Sequence, residues 1–238
     1  MNQSWSIIIF GYNEEKTIAN EIYKVNNFFI ENNISRSEIV IVDDGSTDNS
    51  EQIIRGILKS NKNINYIRHK KNLGIGPALL SGYNNARHEN LAAIPADGQF
   101  DINELTPFIN FPEKHFVSFY RKEMNEYSLY RKIVTFLNKS FNQYLLNLNV
   151  KDINWVKAYK NNELKEIELE LQSSLVASEI CAKFYIKGYK SLEALSVYHD
   201  RTAGIARGAS FKTISKAMMD LSKLFVIVRK FNKTQRKN

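Results

Sequence analysis

Cysteine is nearly absent from this sequence, and Cys181 stands alone. A single thiol makes no intramolecular disulfide and no thiolate metal cluster, which excludes a stapled extracellular scaffold and points to a reducing compartment. Long apolar runs are missing as well. The best of them, Leu221 to Val228, is broken by Ser222 and Lys223 and falls far short of the roughly 20 residues a membrane-spanning helix needs. No basic leader, extended apolar region or small-residue cleavage site accompanies the stretch from Trp5 to Phe10, so the expectation is a cytoplasmic protein without a transmembrane segment. Internal repeats and low-complexity linkers are absent too. With 43% hydrophobic and 24% charged residues, neither a disordered nor a fibrous chain fits, and 238 residues are enough to bury a sizeable core. The last ten residues hold Arg229, Lys230, Lys233, Arg236 and Lys237 with no acid, and the net charge is +8. That balance favours an anionic partner: nucleic acid, a phosphorylated small molecule or an anionic bilayer face.

What is present alternates. Ser4 to Phe10, Glu38 to Val42, Ile64 to Arg68 and Leu91 to Ile94 are short apolar runs that predict buried parallel strands. Between them, Thr17 to Asn32, Ser46 to Ser60 and Gly76 to Ala86 carry apolar residues at helical spacing, as in Ile18, Ile22, Val25 and Phe29. Strand and helix in alternation predict an α/β fold with a mostly parallel sheet for the first hundred or so residues. Beyond it the pattern predicts a strand over Phe116 to Tyr120, a long helix over Leu129 to Leu148, a helix over Ser173 to Lys187, a strand over Ser191 to Tyr198 and a C-terminal amphipathic helix over Phe211 to Phe231. Cys181 falls on an apolar helical face with Leu175, Val176, Ile180 and Phe184, which reads as core packing.

Ligands of open α/β sheets bind beyond the carboxyl ends of the strands, and polar clusters stand at those positions. They are GYNEE (Gly11 to Glu15), DDGSTDNS (Asp43 to Ser50) and ADGQFD (Ala96 to Asp101). The second cluster alone reads equally as a turn and helix N-cap. Two adjacent aspartates at a strand end nevertheless repel, and a hydrogen-bonding ligand would offset that repulsion.

Four strings, SIIIFGYNEEKTI, IVIVDDGSTDNS, NLGIGPALLSGYNNA and IPADGQFDINEL, occur in this order over residues 6 to 105. Together they resemble the family 2 glycosyltransferases of the GT-A fold, on the branch of the dolichyl- and polyprenyl-phosphate sugar synthases. KDINWVKAYK and the stretch from Gly188 to Gly208 extend the resemblance to residues 4 to 208. It implies a Rossmann-like nucleotide-sugar-binding domain over 1–208, followed by a helix and basic tail over 209–238. It further implies that Gly11, Tyr12, Asn13, Glu14, Asp43 and Gly45 border a nucleotide pocket in which Asp44 accepts from the base edge of a UDP- or GDP-sugar. A carboxylate can take the ring N–H of uracil or guanine. Asn72, Gly74 and Gly76 resemble the NxGxG segment, where missing Cβ atoms let backbone approach the ligand; a plain turn and helix start is the other reading.

The third cluster resembles the DxD region, whose carboxylates hold Mg2+ or Mn2+ against the donor diphosphate. Here the first aspartate is replaced by Pro95, leaving Asp97 and Gln99 as the candidate metal ligands and a degenerate, weakly active site as an alternative. Arg121, Arg131 and Arg201 resemble clamps for diphosphate or acceptor, a task that suits the guanidinium fork. His199 sits in the same motif, and Asp152 is the candidate near the acceptor, with a capping role as its other reading. The implied reaction is an inverting transfer to a lipid phosphate, whose oxygen is already anionic. A hydroxyl of a glycan is the alternative acceptor and would require a carboxylate base. A response-regulator receiver is disfavoured, because its acid pair should follow the first strand. Nucleic acid is disfavoured as a partner, because acidic clusters line the expected crevice. The C-terminal helix has two readings: it packs on its own domain, or it makes a peripheral membrane contact with Met218, Leu221, Leu224, Phe225 and Val228 toward lipid and the basic tail toward headgroups.

Overall fold

The computed structural model describes residues 3–121, 143, 148–197, 199 and 211–236, with side chains of the last segment described from Asp220 onward. In chain order the elements are β1 (Ser4–Gly11), α1 (Ile18–Glu31), β2 (Arg36–Asp43), α2 (Ser50–Leu58), β3 (Ile64–Arg68), α3 (Ile75–Asn85), β4 (Asn90–Pro95), a 3-10 turn (Ile102–Phe108), β5 (His115–Arg121), β6 (Lys157–Lys160), α4 (Asn161–Lys165), α5 (Val176–Ile186), β7 (Lys190–Ser196) and α6 (Phe211–Gln235). The described strands form one sheet in the order β3-β2-β1-β4-β6-β5-β7. β1, β2, β3 and β4 pair in parallel, as do β5 and β7, and β6 alone runs against its neighbours.

Alternation along the central strands divides the core into two layers. Ile7 and Ile9 of β1, with Ile39 and Ile41 of β2, face α1 and its buried Ile22, Val25 and Phe28. Ile8, Val40 and Val42 face the other way, toward Ala78, Leu79 and Tyr83 of α3 and Val176, Ile180 and Phe184 of α5. A strand buried on both faces reads as a continuous apolar run, which is why SIIIF and EIVIV announce themselves. α3 rides close to β1 because Gly82 has no Cβ; one added there would meet Ile8 Cγ2 at 2.4 Å.

The expected strands and helices of the first hundred residues are present, with one adjustment. The second helix begins at Ser50 and not at Ser46, because the backbone from Ser46 to Asn49 is diverted into contacts with the loop after β1. β6 and α4 were not foreseen. The helix expected over 129–148 lies outside the described residues except for Gln143, exposed on π-helical backbone, and Leu148, which is buried in the core without helical backbone. Cys181 is fully buried, and burial pushes its thiol up to about 11, in keeping with packing and not reactivity.

For the C-terminal helix the structure shows packing on the protein's own domain, one of its two sequence readings. Leu224 and Val228 of α6 are buried in the same cluster as α5, with Leu221, Ile227 and Phe231 packed against it. Phe225 is half-buried under the Arg229 guanidinium, 4.2 Å from its ring centroid. The apolar stripe assigned to lipid is therefore spent largely on the protein's own core, and the Met218 side chain lies outside the described set. Among the described residues no helix is long and apolar enough to cross a membrane.

Candidate functional site

The parallel strands end at one edge of the sheet, and their register fixes what meets there. Gly11 lies opposite Asp43, and Phe10 lies opposite Pro95. The three polar clusters are therefore next-door neighbours across β2, β1 and β4. The chain places β2 and β3 on one side of β1 and β4 on the other, so the strand order reverses at the β1/β4 boundary, where such sheets open a ligand crevice.

The loops after β1 and β2 are laced together. Asn13, in a left-handed conformation at φ 59°, donates its N–H to Ser46 Oγ at 2.9 Å and accepts from the Thr47 N–H at 2.8 Å. Glu14 N–H donates to Ser50 Oγ at 3.0 Å and Glu15 N–H to Asp48 Oδ2 at 3.1 Å. Tyr12 and Glu14 are half-buried in this loop. At Gly11 an added Cβ would lie 2.8 Å from Ala96 Cβ, so this glycine lets β1 and β4 leave the sheet side by side.

The paired aspartates have separate tasks. Asp43 Oδ1 accepts from the Ser46 N–H at 2.8 Å, while Oδ2 accepts from Tyr66 Oη at 3.0 Å and Arg68 Nε at 3.1 Å. It is a hub for β3 and the loop. Asp44 turns toward the start of α3. Its Oδ1 accepts from the Leu73 N–H at 2.9 Å and meets His69 Nδ1 at 2.7 Å, and its Oδ2 accepts from the Gly74 N–H at 2.8 Å. A carboxylate oxygen accepts about two hydrogen bonds, so among the described contacts Oδ2 keeps capacity for one more.

Gly45, expected on the pocket border, and Gly76, expected to admit a ligand, both stand against the protein's own backbone. A Cβ on Gly45, at φ +75°, would come 2.5 Å from the Lys71 carbonyl carbon, and one on Gly76 would come 2.4 Å from Ser173 O. Gly74 takes φ 97° with no neighbour where its Cβ would be, and its N–H is the one that reaches Asp44. Asn72 beside it is exposed.

At the end of β4, Asp97 is 5% exposed and its Oδ1 accepts from the Gln99 N–H at 3.1 Å. Gln99 Nε2 donates to His199 O at 3.4 Å, and the His199 N–H donates back to Gln99 O at 3.2 Å. The His199 backbone is thereby pinned against the third cluster, with the residue exposed. Glu21 of α1 is buried nearby; burial pushes its carboxyl up, Lys24 opposes this, and the charges of Asp97 and Asp101 add to it. The described residues contain no cluster of three or more His, Cys, Asp or Glu side chains able to hold a metal. One buried carboxylate and a neighbouring amide form a hard donor set that fits a cation taking the rest of its shell from phosphate oxygens and water.

On the far side of the sheet edge, Arg121 and Asp152 meet directly. Arg121 Nε donates to Asp152 Oδ2 at 2.8 Å, and Asp152 Oδ1 accepts from the Asn154 N–H at 3.1 Å. The guanidinium lies 4.5 Å from the Trp155 ring centroid, and Trp155 Nε1 donates to Ser196 Oγ at 2.9 Å. Asp152 thus serves as a cap and ion-pair partner, the second of its two sequence readings. Arg131 and Arg201 lie outside the described residues.

Two participants were not foreseen. His69 bridges Asp44 to α3 through Ser81 Oγ at 2.9 Å; its position just past β3 was the available signal. Glu104, in the 3-10 turn, accepts from the Val197 N–H at 2.8 Å. Burial raises its carboxyl above the ordinary range, against the hydrogen bonds from Ser196 and Val197. It ties the end of β7 to the third cluster.

The sequence pattern of glycosyl transferase family 2 matches residues 6–159. A dolichyl-phosphate beta-glucosyltransferase of Saccharomyces cerevisiae is 34% identical over 110 residues, 44% of this chain and 33% of that protein. The chain therefore spans about a third of that relative's length. A UDP-N-acetylglucosamine--dolichyl-phosphate N-acetylglucosaminyltransferase of Methanococcus voltae is 29% identical over 209 residues, 78% of this chain and 80% of that one. Among solved structures, a mannosyltransferase from Pyrobaculum calidifontis in complex with GDP-Man and Mn2+ superposes with a TM-score of 0.62 at 13% identity, covering 99% of this chain and 74% of that one. That likeness establishes the fold as GT-A.

Proposed function

Because the chain belongs to glycosyl transferase family 2, we propose that it moves a sugar from a UDP- or GDP-sugar to the phosphate of a polyprenyl-type lipid, with inversion at the anomeric carbon. The names of the yeast and Methanococcus relatives support the acceptor class, the latter across most of both chains. The observation that carries the choice is the Arg121–Asp152 pair. A hydroxyl acceptor needs a carboxylate to take its proton, whereas Asp152, the candidate near the acceptor, is ion-paired to Arg121 and also accepts from the Asn154 N–H. A lipid phosphate oxygen arrives deprotonated and needs no such base.

In this reading the donor's base edge gives its ring N–H to the remaining acceptor site of Asp44 Oδ2, beside the Leu73–Gly74 turn that the same carboxylate holds in place. Asp97 with Gln99 would hold a Mg2+ or Mn2+ ion, which neutralises charge on the departing nucleoside diphosphate. The acceptor's phosphate oxygen forms the new bond to the anomeric carbon as the bond from that carbon to the diphosphate oxygen breaks, and the nucleoside diphosphate leaves with the electron pair. Arg121 supplies positive charge on the acceptor side, and Arg131 and Arg201 are its proposed companions. His199 is proposed to act where the diphosphate and acceptor meet.

The test is transfer of radiolabelled sugar from a panel of UDP- and GDP-sugars to polyprenyl phosphate in detergent. Label extractable into butanol and released by mild acid is the expected result. Label transferred only to hydroxyl acceptors, with none on lipid phosphate, would overturn the acceptor assignment.

A further inference from the structure

Lys157 is an anomaly: a lysine at the start of the buried strand β6, only 4% exposed. An ammonium has three donors and no acceptor, and burying one is costly unless each donor is matched. All three are matched within one short loop, to Ile153 O at 2.8 Å, Asp152 O at 3.0 Å and Trp155 O at 3.2 Å. Because β6 runs antiparallel to β4 and β5, its first residue lies at the sheet edge where those strands finish. The loop it gathers is the one that carries Asp152 and Trp155 to Arg121, the last residue of β5.

We propose that Lys157 is the positioning residue of the acceptor side: its ammonium gathers the carbonyls of the 152–155 loop and thereby presets the Arg121–Asp152–Trp155 constellation for an incoming phosphate. The inference rests on the lipid-phosphate reading for what is being positioned, and on geometry alone for the positioning. Lys157 is not a reacting group, since its donors are turned into the loop backbone. Other tethers hold the rim: Glu193 Oε2 accepts from the Lys151 N–H at 3.2 Å, and Ser196 Oγ from Trp155 Nε1. They grip single points, whereas Lys157 joins three peptide units from within. Across the sheet Ser118 stands level with both Lys157 and Glu193, and Ser118 Oγ and Glu193 Oε1 are buried with no hydrogen-bond partner among the described residues.

The experiment uses the full chain and the Lys157→Met variant, with two readouts. The first needs no activity. The other tryptophan, Trp5, is fully buried in the core, so a gain in acrylamide quenching and a red shift in emission on substitution would report release of Trp155, while stabilisation by UDP or GDP, bound at the β1–β4 end, should persist. The second is steady-state transfer to polyprenyl phosphate. KM for the acceptor should rise roughly tenfold to hundredfold, the scale of an ångström-sized misplacement, with KM for the donor unchanged. Lys157→Gln, whose amide NH2 keeps two of the three donors, should fall between wild type and Lys157→Met in both readouts and serves if the methionine variant does not fold. Unchanged quenching together with an unchanged acceptor KM in a folded variant would overturn the proposal. So would equal losses for donor and acceptor. If wild type transfers nothing to lipid phosphate, the functional reading fails, and the Trp155 readout still decides whether Lys157 holds the loop.

Discussion

Asp44 illustrates how one side chain can be both scaffold and recognition group. Its carboxylate fastens the Leu73–Gly74 turn and His69, so the groups that define the base pocket are held by the group proposed to read the base. Asp44→Ala should weaken UDP or GDP binding by about 1.5–3 kcal/mol, the range for a hydrogen bond to a charged group, and should also lower thermal stability, because the Leu73 and Gly74 N–H groups and the His69 ring lose their partner. Calorimetry beside thermal melts measures both, and unchanged affinity in a folded variant would remove Asp44 from the site. Glu104 gives a pH prediction with a definite sign. Its folded-state pKa lies above the ordinary 4.5, chiefly through burial. Between those two values the folded chain holds more protons than the unfolded one, so the contribution to stability is present below 4.5 and is lost as pH rises through the raised value. Glu104→Gln cannot ionise; its melting temperature should gain on wild type as pH climbs from 4 toward 7, and a constant difference across that range would reject the assignment.

At the scale of elements, the sequence was legible where one face of a strand or helix obeyed one rule. β1, β2 and β4 are apolar on both faces, and α1 has a clean stripe, so their existence and order could be read directly. β6 could not: it is four residues, KAYK, with both lysines buried and no alternation to betray it. Lys160 reaches Glu89 at 3.2 Å and lies over the Phe111 ring, contacts from distant parts of the chain that no local window contains. The start of α2 was misplaced for a similar reason, since Ser46, Thr47 and Asp48 bond to residues 33 to 34 positions away. For the candidate site, the sequence located the loops at the strand ends but not the partners of each side chain. Asp43 fastens Tyr66, Arg68 and the Ser46 turn, Gly45 and Gly76 lie against backbone, and Asp44 holds the Gly74 N–H. The loop after β4 carries its own prediction. With Pro95 in place of an acid, Asp97 is left as the carboxylate of a two-residue donor set, so Pro95→Asp should lower the concentration of Mn2+ needed for nucleotide-sugar binding, and Asp97→Ala should abolish the metal dependence. Wild type binding equally well in chelator, with Asp97→Ala harmless, would show that no metal takes part.

At the scale of the whole molecule, the question is how a chain without a spanning helix among its described residues would meet a lipid-borne acceptor. The sequence suggested that α6 lies in the bilayer interface on its apolar stripe, but Leu224 and Val228 are buried against α5, and Phe231 reaches the buried Lys183, whose Nζ lies 5.4 Å from its ring centroid. Among its described side chains α6 leaves Val226 and the charged Lys223, Arg229, Lys230, Lys233 and Arg236 exposed. Attachment through these basic residues is electrostatic, worth about 1 kcal/mol per basic residue near an anionic surface before screening. It should fade as salt shortens the Debye length. Co-sedimentation with vesicles containing phosphatidylglycerol should retain the protein at low salt and release it at high salt, and neutral vesicles should retain little at either. Lys230→Glu with Lys233→Glu is a cleaner perturbation than truncation after Val228, because truncation also removes Phe231 from its contact with the core. The pair should weaken retention without lowering the melting temperature. Retention that resists salt and survives both substitutions would instead place the membrane contact on an apolar surface elsewhere in the molecule.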